Sequence, residues 1–301
     1  MKRFPENDII SLMGVPPRYE LGESTGPDLR LADLFDADTL GSLPLGYGTA
    51  AGDPELRAAI AAAYGVAPDD VVVTAGGMHA LFLLAFVLCE RGAETVITNP
   101  CFPLSRNALA AVGAEIRVLP LSFDQGYRLD PRDLRTALSP QTKLVSLASP
   151  QNPSGVAISF EVLRETLALM QEISPDAYLL VDETYRDATY ADDPVAETAL
   201  ALGPKVISVA SLSKCHGAPG LRIGWAITAM LSCDGSWWWA SSTPSSPAHT
   251  LMRCWRSSSS SAARRITKTP LELGHEVTQL IVRQLRDVAA QQSKALSRLC
   301  G

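Results

Sequence analysis

From about residue 54 to residue 228, short apolar runs alternate with longer segments whose apolar positions recur at helical spacing. The runs are VVVT (71–74), TVIT (95–98), EIRVLPL (115–121), KLVSLAS (143–149), YLLVD (178–182), VISVAS (206–211) and LRIGWAIT (221–228). They are rich in Val, Ile and Leu, and most do not alternate with polar residues. Each therefore predicts a strand of a sheet covered on both faces. PELRAAIAAAYG (54–65) predicts a helix with Asp53 as N-cap, Pro54 at its first position and Gly65 as its stop. MHALFLLAFVLCERG (78–92) is apolar nearly all round and is expected to be a buried helix. PLSRNALAAVGA (103–114), DPRDLRTAL (130–138) and SFEVLRETLALMQEI (159–173) complete the set. Repeated strand–helix alternation predicts an α/β domain with a mainly parallel sheet, and such sheets bind ligands at the carboxyl ends of their strands. No internal repeat is visible.

Composition narrows the function. The chain has 301 residues, 47% of them hydrophobic and 19% charged, enough for one large domain and a smaller one. A net charge of -6 without a basic run argues against nucleic acid as a partner. No apolar run is long enough to span a membrane, and MKRFPENDII lacks the apolar core of a signal peptide. The six cysteines (89, 101, 215, 233, 254 and 300) form no CxxC pair and no metal spacing. A reduced, cytoplasmic protein without a metal site is expected.

The segments that follow the strands carry the chemistry. AGGMHA (75–80) is a glycine turn opening a helix, where Gly76 and Gly77 admit close backbone approach and the first free N–H groups face an anion. NPCFP (99–103) puts Phe102 beyond a strand end, and PQNPSG (150–155) puts Asn152 in a turn. YLLVD ends at Asp182, and Tyr185 follows shortly after. VISVA leads into Ser211, Ser213 and Lys214, with Arg222 eight residues beyond the lysine. A lysine at the mouth of a buried sheet is desolvated, which favours its nucleophilic amine. Each feature alone has an ordinary reading as a turn, a cap or core. Together they describe one ligand. It has a phosphate for the N–H groups of Gly77 and Met78, Ser211, Ser213 and Arg222. It has a flat ring for Phe102, a ring cation for Asp182, a ring oxygen for Asn152 and Tyr185, and a carbonyl for Lys214. Pyridoxal phosphate meets all five demands. His79 is expected to be structural, His216 is assigned no proton-transfer role while Lys214 is available, and Cys215 is expected to be a neutral filler.

These segments resemble the class I/II, fold-type-I pyridoxal-phosphate-dependent aminotransferases. The resemblance rests on GYGTAAGDPELR (46–57), TAGGMHAL (74–81), NPCFP, PQNPSG, VDETY (181–185) and SLSKCHGAPGLRIGW (211–225), and covers roughly residues 20–228. It implies a homodimer in which Tyr47 of one subunit reaches the phosphate held by the other. It implies that Lys214 holds the cofactor as a Schiff base and then moves a proton as general base and acid. Asp182 would keep the ring nitrogen protonated, and Asn152 and Tyr185 would bond the ring oxygen. Arg222 would pair with the phosphate as a planar fork. The implied substrates are an amino acid and a 2-oxo acid. The same residues would serve a lyase, decarboxylase or cyclase, or a degenerate cofactor-binding protein without turnover.

Past residue 228 the resemblance breaks. Residues 229–265 show no helix or strand period, yet hold four of the five tryptophans and a five-serine run. Tryptophan has a single codon, so WWWA (237–240) read one base earlier gives Leu, Val or Met followed by Val-Val-Gly. With suitable codons the segment becomes an amphipathic helix, which points to a one-base deletion near Ala229. Residues 266–301 look helical again. The expected organisation is an N-terminal arm and part of a small domain (1–39), a large cofactor domain (40–228), an aberrant segment (229–265) and a helical remnant (266–301). In the family, the small domain supplies an arginine for the substrate carboxylate. Arg298 echoes that motif only faintly and is not assigned. Sequencing the gene across codon 229 in independent clones checks the deletion. One extra base is expected to restore the second frame, whereas one unaltered frame in every clone removes the sequencing-error version.

Overall fold

All seven apolar runs become strands of a single sheet. The computed structural model describes residues 48–188 and 195–229, together with Ser24, Arg30, Ala32 and Asp38. Tyr47, nearly all of the arm 1–39, and the segments 230–265 and 266–301 lie outside the described residues. The chain divides into two units, residues 1–33 with 72–228, and residues 34–71 with 229–301.

The second unit contains helix α1 (Pro54–Tyr64). Its ends are those the sequence predicts. The Asp53 carboxylate accepts from the N–H groups of Glu55 and Leu56, and Gly65 closes the helix in the left-handed region at φ 68°. An N-cap of this kind contributes about 1 kcal/mol. Arg57 fastens the helix to the segment after it, donating from Nε to the Val71 carbonyl at 2.9 Å and from Nη2 to the Pro68 carbonyl at 2.7 Å.

The sheet runs β1 (Val71–Thr74), β7 (Gly224–Ile227), β6 (Val206–Ser211), β5 (Tyr178–Asp182), β4 (Thr142–Ala148), β2 (Glu94–Asn99), β3 (Glu115–Pro120). The pairs from β3 to β6 are parallel, and β7 is antiparallel to β6. Successive residues point to opposite faces, and both faces are apolar. Val145, Leu179, Val181 and Val206 pack on one side with Leu134 of α4 (Pro131–Ala137) and with Leu163, Leu167 and Met170 of α5 (Phe160–Ile173). Leu144, Leu180, Ile207 and Val209 pack on the other with Ala80, Leu81 and Leu84 of α2 (Gly77–Leu88), and with Ala108 and Leu109 of α3 (Pro103–Val112). This two-sided burial is why the strands read as continuous apolar runs.

Three expectations need correction. Strand β7 starts at Gly224, because Pro219–Leu221 form a 3₁₀ turn and Arg222 takes φ 52°. Strand β3 lies at the sheet edge with most residues exposed, and it ends at Pro120, a residue tolerated at an edge because it donates no ladder bond. Helix α2 buries only one face. It turns Ala80, Leu81, Leu84 and Ala85 inward and leaves Phe86 at 56% and Val87 at 38% exposure, with Phe82 stacked on Phe86.

Gly224 is where the sheet meets the α2 entrance. A Cβ there would collide with the backbone of Gly76 and Gly77. Gly224→Ala is therefore expected to lower stability by about 3 kcal/mol, as overpacking against rigid backbone does. Gly220→Ala meets open space and is expected to be near neutral. Urea unfolding midpoints of the two variants check this.

Candidate active site

The predicted chemistry sits on loops bonded to one another at the carboxyl ends of the strands. Gly76 and Gly77 follow β1, Phe102 follows β2, Asn152 follows β4, Asp182 ends β5 and Ser211 ends β6. The Gln151 side chain donates from Nε2 to the Pro100 carbonyl at 3.0 Å, tying the Asn152 turn to the Phe102 loop. The Ser149 N–H donates to the Asp182 carbonyl at 3.0 Å, and the Glu183 N–H donates to the Val209 carbonyl at 2.8 Å. The Phe102 and Asn152 side chains are both half-buried.

The anion side is built from backbone. Gly76, at φ 89° and ψ 163°, occupies a region open only to glycine and caps α2. Its carbonyl accepts from the N–H groups of His79 and Ala80, while those of Gly77 and Met78 have no main-chain acceptor among the described residues. Oriented N–H groups at a helix start attract phosphate. The Arg222 guanidinium lies against Gly76, where a Cβ would collide with Nη2. Nη1 of the same group donates to the Pro219 carbonyl at 3.1 Å. Ser211 lies beside Gly77, its Oγ 3.8 Å from where a Cβ would stand, and accepts from the Ser213 N–H at 3.3 Å. Gly76 and Gly77 are thus brought together with Arg222 and Ser211, and Met78 and Ser213 adjoin them along the chain. His79 stays inside the loop, its Nδ1 accepting from the Ala75 N–H at 3.1 Å. Burial lowers its pKa and favours that neutral acceptor form.

The ring side centres on Asp182. Its Oδ1 accepts from the Thr184 N–H at 3.0 Å and the Thr184 hydroxyl at 2.6 Å. Among the described residues, no bond falls on Oδ2. Asp182 is half-buried at the strand end. Desolvation pushes its pKa above the ordinary aspartate value, the Thr184 bonds pull it back, and the Glu183 charge pushes it up again. An acid with raised proton affinity is suited to a cationic ring nitrogen. Beside it, the Tyr185 hydroxyl shares a 2.7 Å hydrogen bond with Ser24 Oγ. Lys214, half-buried, opens a turn closed by the Gly217 N–H on its carbonyl at 3.0 Å. Cys215 donates from Sγ to the Thr184 carbonyl at 3.2 Å, and burial pushes its thiol pKa up, which agrees with a filler role. An Asp182 oxygen without a bond among the described residues, and N–H groups of Gly77 and Met78 beside the Arg222 guanidinium, fit pyridoxal phosphate.

Sequence reasoning missed Ser24, Gln151 and Thr184. Thr184 was findable, because an aspartate followed two residues later by threonine favours this local turn. Ser24 lies 161 positions from Tyr185, and nothing local announces the contact.

Sheet order, covering helices and site define a fold-type-I, pyridoxal-phosphate-binding architecture. A family model described as aminotransferase class I and II matches residues 38–273, and the chain belongs to that family. It is similar to capreomycidine synthase of Streptomyces vinaceus, at 36% identity over 74% of this chain and 56% of that protein. It is also similar to valine–pyruvate aminotransferase of Mycobacterium tuberculosis, at 34% identity over 61% of this chain and 48% of that protein. Among solved structures, the PLP-dependent cyclase OrfR shares 25% identity and a TM-score of 0.63 over 93% of this chain and 69% of that one. The chain spans about half the length of the curated relatives it matches.

The raised Asp182 pKa has a signed consequence. Folded protein binds this proton more tightly than unfolded protein does. The associated stability is full below the ordinary aspartate value of 3.8 and is lost as pH rises through the folded value. Asp182→Asn is therefore expected to raise the melting temperature of cofactor-free protein at neutral pH, with a gap that closes on acidification. The same variant is expected to weaken retention of pyridoxal phosphate about tenfold or more, by removing a charge-assisted partner. Thermal melts across pH and equilibrium dialysis check the two halves.

Proposed function

We propose that this chain is a pyridoxal-phosphate-dependent aminotransferase that moves an amino group between an amino acid and a 2-oxo acid. The observation that carries the reading is the bonding of the Lys214 turn to the Asp182 turn at the ends of adjacent strands β5 and β6. When bound, the cofactor supplies an electron sink for charge developing at the substrate Cα. The protein's residues do the rest. Gly77, Met78, Ser211, Ser213 and Arg222 would hold the phosphate. Asp182 would keep a proton on the ring nitrogen, Phe102 would cover the ring, and Asn152 and Tyr185 would orient its oxygen. Lys214 would hold the carbonyl end of the cofactor, and its amine would carry the proton taken from the substrate Cα.

A homodimer belongs to the same proposal, with Tyr47 of one subunit reaching the phosphate held by the other. The exposed Phe86 and Val87 on α2 support an apolar contact of that kind. Cytoplasmic location and the large-domain limits at 40 and 228 are also part of it. A second reading is a cyclase using the same site, favoured by the similarity to the PLP-dependent cyclase OrfR.

Borohydride reduction of cofactor-loaded protein, followed by peptide mass mapping, is expected to mark Lys214. An unmodified Lys214 in folded protein would sink the site assignment. With a panel of amino acids and no oxo acid, an aminotransferase accumulates the amine form of the cofactor with an equal amount of 2-oxo acid. A cyclase returns the aldehyde form. Trapping at Lys214 without turnover of any kind identifies a cofactor-binding protein that has lost catalysis.

A further inference from the structure

The Lys214 turn carries a device that the cofactor chemistry leaves unused. Lys214, Cys215, His216 and Gly217 form one tight turn, and the loop is pinned at its base by the Ala218 N–H donating to the Leu212 carbonyl at 3.0 Å. Both central side chains of the turn reach the loop that follows Asp182. Cys215 donates to the Thr184 carbonyl at 3.2 Å, and His216 Nε2 lies 3.4 Å from Asp187 Oδ2. Asp187 is itself held by Arg186, whose buried side chain places Nε 3.3 Å from Oδ1. At the other end of that loop, Thr184 donates twice to Asp182. Resting on the reading of Lys214 and Asp182 as parts of one cofactor site, we propose that His216 and Asp187 are positioning residues for Lys214. Their pair holds the lysine turn in register with the acid that sets the ring.

Three observations carry this. A thiol is a weak donor, so Cys215 alone ties the turn only weakly to the Asp182 loop. The His216 pair adds a second tie to that loop at the next residue. Its ring also lies 6.5 Å from the Trp225 ring on β7, so the turn is gripped from the sheet as well. The Asp187 carboxyl is held below the usual aspartate range, with the His216 hydrogen bond as the largest cause. Register matters because a displacement of about 1 Å in a reacting group costs on the order of a hundredfold in rate.

The test uses the full chain loaded with pyridoxal phosphate and reads the lysine-bound cofactor directly. Two quantities are followed: the pH midpoint of its visible absorbance, and its rate of loss on dilution. His216→Ala is expected to shift the midpoint and to release cofactor about tenfold faster, within the range of coupling seen for contacting residues. His216→Gln, which keeps a donor near the Nε2 position, is expected to restore most of the parent behaviour. Asp187→Asn is expected to resemble His216→Ala, and the double variant to be no worse than either single one. Parent-like midpoint and release in His216→Ala would overturn the inference. Equal impairment of the Ala and Gln variants alongside a fallen melting temperature would also overturn it, since that is what a purely structural residue does. If the parent chain itself cannot be trapped at Lys214, the reading of the site falls first, and this inference falls with it.

Discussion

A buried carboxylate closes the functional end of the sheet. Glu183, 4% exposed, accepts through Oε2 from the Ser208 hydroxyl at 2.6 Å and the Thr198 hydroxyl at 2.8 Å, and through Oε1 from the Ala199 N–H at 2.8 Å. Its own N–H donates to the Val209 carbonyl. A charge this deep survives only when it is fully hydrogen-bonded, since an unpaired one costs several kcal/mol. The three donors come from β6 and from the 198–199 segment, so satisfying Glu183 forces the end of β5, the body of β6 and that segment into one arrangement. Asp182 and Tyr185 flank Glu183 in sequence, and they inherit its placement.

Two acids side by side end up in opposite states of satisfaction. Glu183 is saturated with donors. Asp182 takes both bonds from Thr184 on one oxygen and has no described partner on the other. The neighbouring Glu183 charge raises the proton affinity of Asp182 further. A single positive group could relieve both the desolvation and the repulsion, and a protonated ring nitrogen is such a group. An Asp182 carboxyl with raised proton affinity is thus suited to a cationic partner, as perturbed groups at functional sites often are.

The fold was legible because the sheet is covered on both faces. Such strands become uninterrupted apolar runs, and VVVT, YLLVD and VISVAS match their strands residue for residue. The α1 cap was legible for a local reason, since Asp53 accepts bonds within three residues, as Asp130 and Ser159 do at α4 and α5. What periodicity missed has non-local causes. LRI was apolar enough to extend β7, but the chain turns there so that the Arg222 side chain can reach Gly76. The all-round apolarity of α2 predicted burial, yet Phe86 and Val87 stay 56% and 38% exposed. Apolarity reports that a surface avoids water; it does not report which body covers it. The site residues named from the sequence were those tied to strand ends. Their supports, Gln151, Ser24 and the His216–Asp187 pair, act across the chain and leave no local pattern.

The anion cradle shows how recognition and folding share the same atoms. Gly224 is small because β7 must pass against the Gly76–Gly77 backbone, and Gly76 is small because Arg222 must lie against it. Arg222 accepts a left-handed backbone to do so, at a cost of about 1–2 kcal/mol for a residue with a Cβ. No side chain separates the guanidinium from the helix N–H groups. Positive charge and free donors therefore converge on one point, where neither is screened by the other's bulk. A larger residue at either glycine would first damage the packing of the sheet and only then the binding of phosphate. For this reason the cradle is expected to be present whenever the sheet is folded, before any ligand arrives. The Lys214 turn, fastened to the Asp182 loop through Cys215, is held in the same way by the fold itself.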